Sequence, residues 1–353
     1  MKKPVKSVKA ECVVSLGRIG GVWLYAIENG IDNLIVKAGK FVGVRIDDVI
    51  RRSDQMWLNL RSACEERGIR TDRPLYVNCS SLLSEDKSNV KLAKSAKLYG
   101  SAVLSIIHYA APAKLASSPE FGLNFTTCSH CTPSCEAVCL NLSGNGYYAS
   151  SQLARIARTR LRKFAPKVFW QKWDEEFYKF YTSANKSGRL LAVRANGTTD
   201  QLCPELRKRI EGTTELDVLW YDYTARPAAA AYAADKENYF VTLSLKETQE
   251  NHRWIAKMWS EGYSNNVAAV VTKELREELL AESDSEFRWI SGDDHDLRIP
   301  YLPDGTQVDG VRGVFLLSPK GKATAGTEMV HTCREELVAS LTAQSWLGRL
   351  MTV

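Results

Sequence analysis

The sequence predicts an α/β protein, a TIM-like or incomplete (β/α) barrel of parallel strands with an added N-terminal α+β unit. Three observations lead there. Apolar runs of strand length alternate with helical stretches from about residue 89 onward. Most of those runs are continuous, as expected of strands buried on both faces. The polar stretch Ser80–Asn89 precedes this rhythm and marks a boundary between residues 1–88 and 89–353. An open doubly wound sheet is the alternative arrangement.

In the N-terminal unit, Val22–Ala26, Leu34–Val36 and Leu75–Val77 read as strands, and Gly20-Gly21 as a turn. A helix is predicted over Ile46–Gly68, with an apolar stripe of Ile50, Trp57, Leu58 and Ala63. Beyond the boundary the predicted strands are Ala102–Ile107, Leu190–Arg194, Asp217–Trp220, Tyr239–Leu243, Val267–Val271, Phe287–Ile290 and Val314–Leu317. Between several of them lie the helical stretches Ser150–Phe164, Pro166–Ser183, Thr248–Glu261 and Lys273–Glu282.

Polar residues follow the strands at one recurring position. They are Arg194-Ala-Asn196-Gly-Thr198, Tyr221-Asp222-Tyr223-Thr224, Ser244-Leu-Lys246-Glu247 and Ser291-Gly-Asp293-Asp294-His295-Asp296. In a parallel barrel this position lines the C-terminal mouth, where such enzymes keep their sites. Asp222, Asp293, Asp294 and His295 are the candidate catalytic groups, and Asp293, Asp294 and Asp296 with His295 would suit a divalent metal or a general base. Arg194, Asn196, Thr198, Tyr221 and Ser244 are candidate substrate-binding residues. The plain alternatives are a buried polar network and a turn with capping aspartates. Trp220 is the tryptophan expected near the site.

Composition sets bounds on these roles. A hydrophobic fraction of 44% and a charged fraction of 25% are ordinary for a globular protein. The apolar stretch Ser101–Ala113 is too short to span a bilayer, and no membrane partner is expected. Lys9 and Glu11 interrupt the segment where a signal peptide needs an apolar core, so none is expected. A net charge of +6 permits contact with nucleic acid without indicating it.

Of nine cysteines, Cys12, Cys64, Cys79, Cys203 and Cys333 are scattered and expected as small buried hydrophobes. The other four, Cys128, Cys131, Cys135 and Cys139, fall within twelve residues at C-x2-C-x3-C-x3-C spacing. On a helical turn Cys135 and Cys139 would share a face. Zinc would take four thiolates, or three with His130, as a closed site. An iron–sulfur cluster would also accept thiolates from one compact run. Unligated thiols are the plain alternative.

Arg155, Arg158 and Arg162 share one face of a predicted helix. Arginine suits bidentate contact with phosphate or carboxylate, so an anionic ligand or a nucleic-acid backbone would fit Arg155 and Arg158. A solvated face, or pairing with Glu175 and Glu176, would serve equally. Gly144-Asn-Gly146 is too short for a phosphate loop, and no Walker or dinucleotide fingerprint is present.

Several motifs together resemble a bacteriophage protein family of unestablished activity. They are Cys128…Cys135-Glu-Ala-Val-Cys139-Leu-Asn-Leu-Ser-Gly-Asn-Gly, Gln152-Leu-Ala-Arg155-Ile-Ala-Arg158-Thr-Arg160, Val193–Asp200, Tyr221–Thr224 and Gly292–Arg298. The resemblance covers roughly residues 90–320. More distantly the chain is similar to the phage gene product 88 proteins, which also carry clustered cysteines before a β/α domain. It implies a phage or prophage origin, hence the host cell cytoplasm, and recurrent cysteines at Cys128, Cys135 and Cys139.

Three cysteines after the first barrel strand are similar to those of radical S-adenosylmethionine enzymes. There, three thiolates leave one iron open for S-adenosylmethionine. This chain departs from their usual C-x3-C-x2-C spacing, since position 138 is Val, and Cys131 would fill the open iron position.

The resulting expectation is an enzyme with a barrel-mouth site beside a cysteine-bound iron–sulfur or zinc centre, acting on a nucleotide or nucleic-acid component. The alternative is a non-catalytic, zinc-stabilised protein that binds nucleic acid or a host partner.

Overall fold

The computed structural model describes residues 12–19, 22–29, 33–37, 43–45 and 75–78 and, apart from short breaks, 81–116 and 126–342. Contacts divide the chain into two units. One holds residues 1–82, 110–126 and 145–174; the other holds 83–109, 127–144 and 175–353. The helix expected at Ile46–Gly68 lies outside the described residues but for isolated positions.

The first unit carries a five-stranded sheet of β1 (Cys12–Ile19), β2 (Val22–Asn29), β3 (Asn33–Lys37), β4 (Gly43–Arg45) and β5 (Leu75–Asn78). Its order is β1-β2-β3-β5-β4, with only the β3–β5 pair parallel. The three strands expected here are present. β1 and β4 are additional.

In chain order the described helices are α1 (Val90–Tyr99), α2 (Ala113–Ala116), α3 (Pro133–Ala137), α4 (Ala149–Phe164) and α5 (Pro166–Lys186). They continue as α6 (Pro204–Glu211), α7 (Pro227–Ala234), α8 (Gln249–Ser260), α9 (Lys273–Ala281) and α10 (Arg334–Thr342). Side-chain caps start several of them. Thr248 Oγ1 accepts from Asn251 N at α8, and Thr272 Oγ1 from Leu275 N at α9. Within the polar stretch Ser80–Asn89, Asn89 Oδ1 caps α1 by accepting from Lys91 N at 2.9 Å. No described helix is long and apolar enough to cross a membrane.

The second unit carries a nine-stranded sheet. Its first members are β6 (Leu83–Glu85), β7 (Val103–His108), β8 (Leu190–Arg194), β9 (Val218–Thr224) and β10 (Tyr239–Ser244). β11 (Asn266–Val271), β12 (Arg288–Ser291), β13 (Gly313–Leu317) and β14 (Val330–His331) complete it. The order is β12-β13-β11-β10-β9-β8-β7-β6, and β14 also pairs with β11. Only β6 runs antiparallel to its neighbour.

The sheet is open, with β6 and β12 at its two ends. This corrects the expectation of a closed TIM-like barrel, whose eight parallel strands join edge to edge. Here one edge ends in a three-residue antiparallel strand, and at the other the order of β12 and β13 is reversed. Neither edge offers the next parallel strand that closure needs. From β7 to β11 the strands stand in chain order without the reversal of a doubly wound sheet.

Every residue of β7 and β8 is buried, in keeping with their continuous apolar runs. Each fully buried aliphatic side chain there contributes about 1.5–3 kcal/mol. The register sets which side chains share a face, because neighbours along a strand alternate. Val193 pairs with Trp220, Asp222 with Val241 and Leu243 with Val267, so these share one face. On it, Trp220 stacks on Phe177 of α5 with centroids 5.7 Å apart. The opposite face carries Ala192, Arg194, Tyr221, Tyr223, Ser244, Ala268 and Phe315. There Leu190, Ala192 and Tyr221 pack against Leu297, Ile299 and Leu302 from the segment after β12.

Candidate active site

At the C-terminal ends of the parallel strands, on the face of Arg194 and Tyr223, lies a cavity of about 410 Å³. Its walls come from α1, the cysteine loop, β8 to β11, β13 and the segments after β12 and β13. Leu245, Ala268, Val270, Leu317 and Met329 make an apolar floor. Lys91, Lys94, Arg194, Lys246 and Lys320 bring positive charge, against Asp293 and Asp296.

Two ion-paired clusters frame the opening. Arg194 Nη1 donates to both oxygens of Asp296 at 2.7 and 2.6 Å, and its guanidinium lies over the Tyr223 ring at 4.6 Å. Burial opposes ionisation of Asp296, but Arg194 outweighs it and lowers the carboxyl's pKa. Arg194 Nε is buried with no hydrogen-bond partner among the described residues. In the second cluster Asp293 accepts from Arg276 Nη1 at 2.7 Å, Lys320 Nζ at 2.8 Å and Ser318 N at 2.9 Å. Burial works against this carboxylate, yet the Lys320 and Ser318 donors hold its pKa down to about 2.

His295 lines the cavity between these clusters. Burial, with the Arg298 charge beside it, pushes its pKa down to about 4, so the ring is neutral at pH 7. Arg298 Nη1 stands 3.2 Å from His295 Nδ1, and Arg298 Nε donates to Tyr223 Oη at 2.7 Å. The Arg298 guanidinium also covers the Phe315 ring at 4.1 Å.

The cysteine loop is fastened to the loop after β10. Glu247 Oε2 accepts from Thr132 Oγ1 at 2.8 Å, and Glu247 Oε1 accepts from Ser134 N at 3.2 Å. Thr132 Oγ1 in turn caps α3 through Cys135 N at 3.3 Å. This directs Cys135 to the cavity wall, where Lys246 Nζ donates to Cys135 Sγ at 3.3 Å. The Cys131 thiol is exposed and donates to Thr132 O at 3.6 Å. The neighbouring Cys131 thiol, helped by the Lys246 charge and opposed by burial, lowers the Cys135 pKa to about 5. Burial and the Asp200 carboxylate push Cys128 up to about 12.

All four clustered cysteines are free thiols, and Cys128 lies within electrostatic reach of Cys135 and Cys139. Among the described residues, however, no three His, Cys, Asp or Glu side chains form a group that could hold a metal ion.

The family model described as gene product 88 matches residues 81–332, which include every residue lining the cavity. The chain belongs to the gene product 88 family. The match is somewhat wider than the 90–320 span of the sequence resemblance. No curated protein and no solved structure matches the chain.

Within this gene product 88 chain, the sequence-derived site residues divide. Arg194, Ser244, Asp293, His295 and Cys135 line the cavity. Asn196 and Asp222 do not: they form a buried network in which Asp222 accepts from Asn196 N at 2.7 Å and Asn196 Nδ2 at 2.9 Å. Trp220 points to the same layer and donates from Nε1 to Thr213 Oγ1 at 2.9 Å. Strand alternation explains both, since Tyr221 and Tyr223 take the cavity side of β9. Tyr221 is fully buried in the core below the cavity, and Thr198 is half-buried away from the wall. Asp294 is exposed and accepts from Ser291 Oγ at 2.9 Å.

Arg155 and Arg158 belong to the unit with the five-stranded sheet and are buried rather than solvated. Arg158 Nε donates to Ser81 O at 2.8 Å. Arg162 lies over the Trp170 ring at 5.2 Å. Among the scattered cysteines, Cys333 is exposed and Cys203 half-buried, not the fully buried hydrophobes expected; Cys64 and Cys79 lie outside the described residues. Sequence reasoning did not single out Lys91, Lys94 or Lys320, and it placed Lys246 in a strand-end motif without giving it a role. The first two stand three apart on amphipathic α1, which was the available signal.

Proposed function

We propose that this chain is an enzyme that binds a small anionic ligand with an apolar body, of nucleotide size, at the C-terminal ends of its parallel strands. The observation that carries this is the cavity's charge. Five lysine and arginine side chains face two aspartates around an apolar floor. His295 adds no positive charge at pH 7. The volume of about 410 Å³ falls within the range of small-molecule sites. Parallel strands in chain order suit an incomplete (β/α) barrel, in which ligands sit at this end. Candidate ligands are nucleotides, S-adenosylmethionine and a component of nucleic acid. Arg194 and Lys320 would orient the anion, and the thiol wall would supply the reactive group.

The test is equilibrium binding of S-adenosylmethionine, nucleoside mono- and triphosphates and short DNA or RNA. Wild type is compared with Lys320→Met and Ala268→Phe. The expected result is binding by wild type, weakened about tenfold or more in each variant while the protein stays folded at the assay temperature, with Lys320→Met lowering the melting temperature slightly because Asp293 loses a partner. No binding by wild type, or variants that only lose stability, would overturn the proposal.

A second reading is a non-catalytic, zinc-stabilised protein that binds nucleic acid or a host partner. It draws on the mutual electrostatic influence of Cys128, Cys135 and Cys139. Metal analysis after anaerobic purification tests this reading: stoichiometric zinc supports it, and a folded protein without zinc overturns it.

A further inference from the structure

We propose that the outward face of α1 carries the backbone of a single-stranded nucleic acid, one nucleotide of which enters the adjoining cavity. Entry of the nucleotide rests on the function proposed above, whereas the strand's hold on α1 is independent of it.

The sequence supplies the charge. From Lys87 to Tyr99 there are four lysines, at positions 87, 91, 94 and 97, and no acid. Their spacing of four, three and three puts them on one side of the helix and its lead-in turn, about 5–6 Å apart. The row is about 15 Å long at the helical rise. Leu92 and Ser95 are the buried residues of α1, so the lysine side is the outer one. Lys87, Lys94 and Lys97 are exposed and Lys91 is half-buried. Lys94 Nζ also reaches Asp293 O at 2.6 Å. Asp86, the acid just before the row, is buried.

A merely solvated face has no use for large apolar groups, yet this one carries two. Val90 is 69% exposed and Leu98 57%, and helical spacing sets both among the lysines. Phosphates on the lysines, with sugars or bases over Val90 and Leu98, would engage both kinds of group. The face also runs into the cavity, because Val90, Lys91 and Lys94 belong to its wall. A cavity of about 410 Å³ takes one small ligand, so a strand would enter by one unpaired nucleotide. A single strand offers that nucleotide without the cost of flipping it from a duplex. The lysines address phosphates, which DNA and RNA share, so both are expected to bind alike.

The experiment uses the full chain and fluorescence anisotropy with a labelled oligothymidylate long enough to span the row. The same strand annealed to its complement, an oligouridylate, thymidine monophosphate and poly-glutamate are the comparisons. Both single strands are expected to bind about tenfold or more tighter than thymidine monophosphate. Their log affinity should fall against log salt with a slope of about 2–3, as for four neutralised phosphates. Lys87→Gln with Lys97→Gln lies outside the cavity wall, at exposed positions. This double variant should weaken strand binding roughly fivefold or more, lower the slope by about 1, and leave thymidine monophosphate binding unchanged. Leu98→Ser should weaken strand binding with the slope kept.

Strand binding that ignores these lysines, no gain over the mononucleotide, or equal binding of poly-glutamate would overturn the proposal and leave the cavity reading in place. Equal binding of the annealed duplex would overturn the single-stranded assignment. Lysine-dependent strand binding without any binding of thymidine monophosphate would support the α1 surface and overturn the entry of a nucleotide.

Discussion

Arg194 and Asp296, 102 residues apart in sequence, meet in a bidentate contact of 2.7 and 2.6 Å. The pair ties the end of β8 to the segment after β12, and both partners are buried. Removing one partner would strand the other charge in a poorly solvated site. Arg194→Met and Asp296→Asn are each expected to cost about 3–5 kcal/mol in urea denaturation. The double variant Arg194→Met with Asp296→Leu should recover much of that loss, because neither charge then remains.

Asp222 carries a carboxyl whose pKa burial raises from 3.8 to about 7, against the opposing hydrogen bonds from Asn196. A group raised in the folded state contributes most below its unfolded value, and that contribution is lost as pH rises. Stability tied to Asp222 should therefore fall between about pH 4 and pH 7, by on the order of 1–4 kcal/mol in all. Denaturation across that window should show the slope in wild type, and Asp222→Asn should remove it.

Asp293 is expected to behave in the opposite sense. Its pKa is lowered from 3.8 to about 2, so its stabilisation is present above the unfolded value and disappears as pH falls toward 2. Asp293→Asn should cost about 1–2 kcal/mol at pH 7 and less at pH 2. Anion binding should survive the change, since Asp293 neutralises Lys320 and Arg276 rather than facing the ligand as a donor. Loss of binding at full stability would contradict this.

Glu247→Ala should release the cysteine loop. The change removes acceptors for Thr132 Oγ1 and Ser134 N, at an expected cost of about 1–2 kcal/mol. Hydrogen exchange should quicken at Ser134 and Cys135 while the amides of β7 and β8 stay protected. Uniform quickening would mean that Glu247 supports the whole unit.

Periodicity carried most of the second unit. Leu190–Arg194 was legible to the residue because all five side chains are buried, and Thr248 and Thr272 announce α8 and α9 as caps. α7 was not legible, since an alanine-rich segment has no contrasting faces. Likewise β6 and the cap of α1 hid in Ser80–Asn89, where the polar residues that read as a linker are turn and cap groups.

For the site, the location was legible and the aim of each side chain was not. Strand ends pointed to one edge of the sheet, but choosing Asp222 over Tyr223 ignored the alternation that sends neighbours to opposite faces. Spacing alone also could not say that Cys135 would meet Lys246. That depended on the loop after β10, more than 100 residues further along the chain.

The chain-order stacking of β7 to β11 bears on synthesis. A ribosome delivers these strands in the sequence in which they pair, so the sheet can lengthen one neighbour at a time as the chain emerges. Its far wall comes last. Asp293, His295, Asp296 and Lys320 arrive only after β11, and β13 must slot between β11 and β12 to seat them. Until then Arg194 lacks Asp296, and the pocket has no floor at Leu317 or Met329. A chain ending before residue 292 would thus lack the cavity's far wall and leave Arg194 without its carboxylate partner.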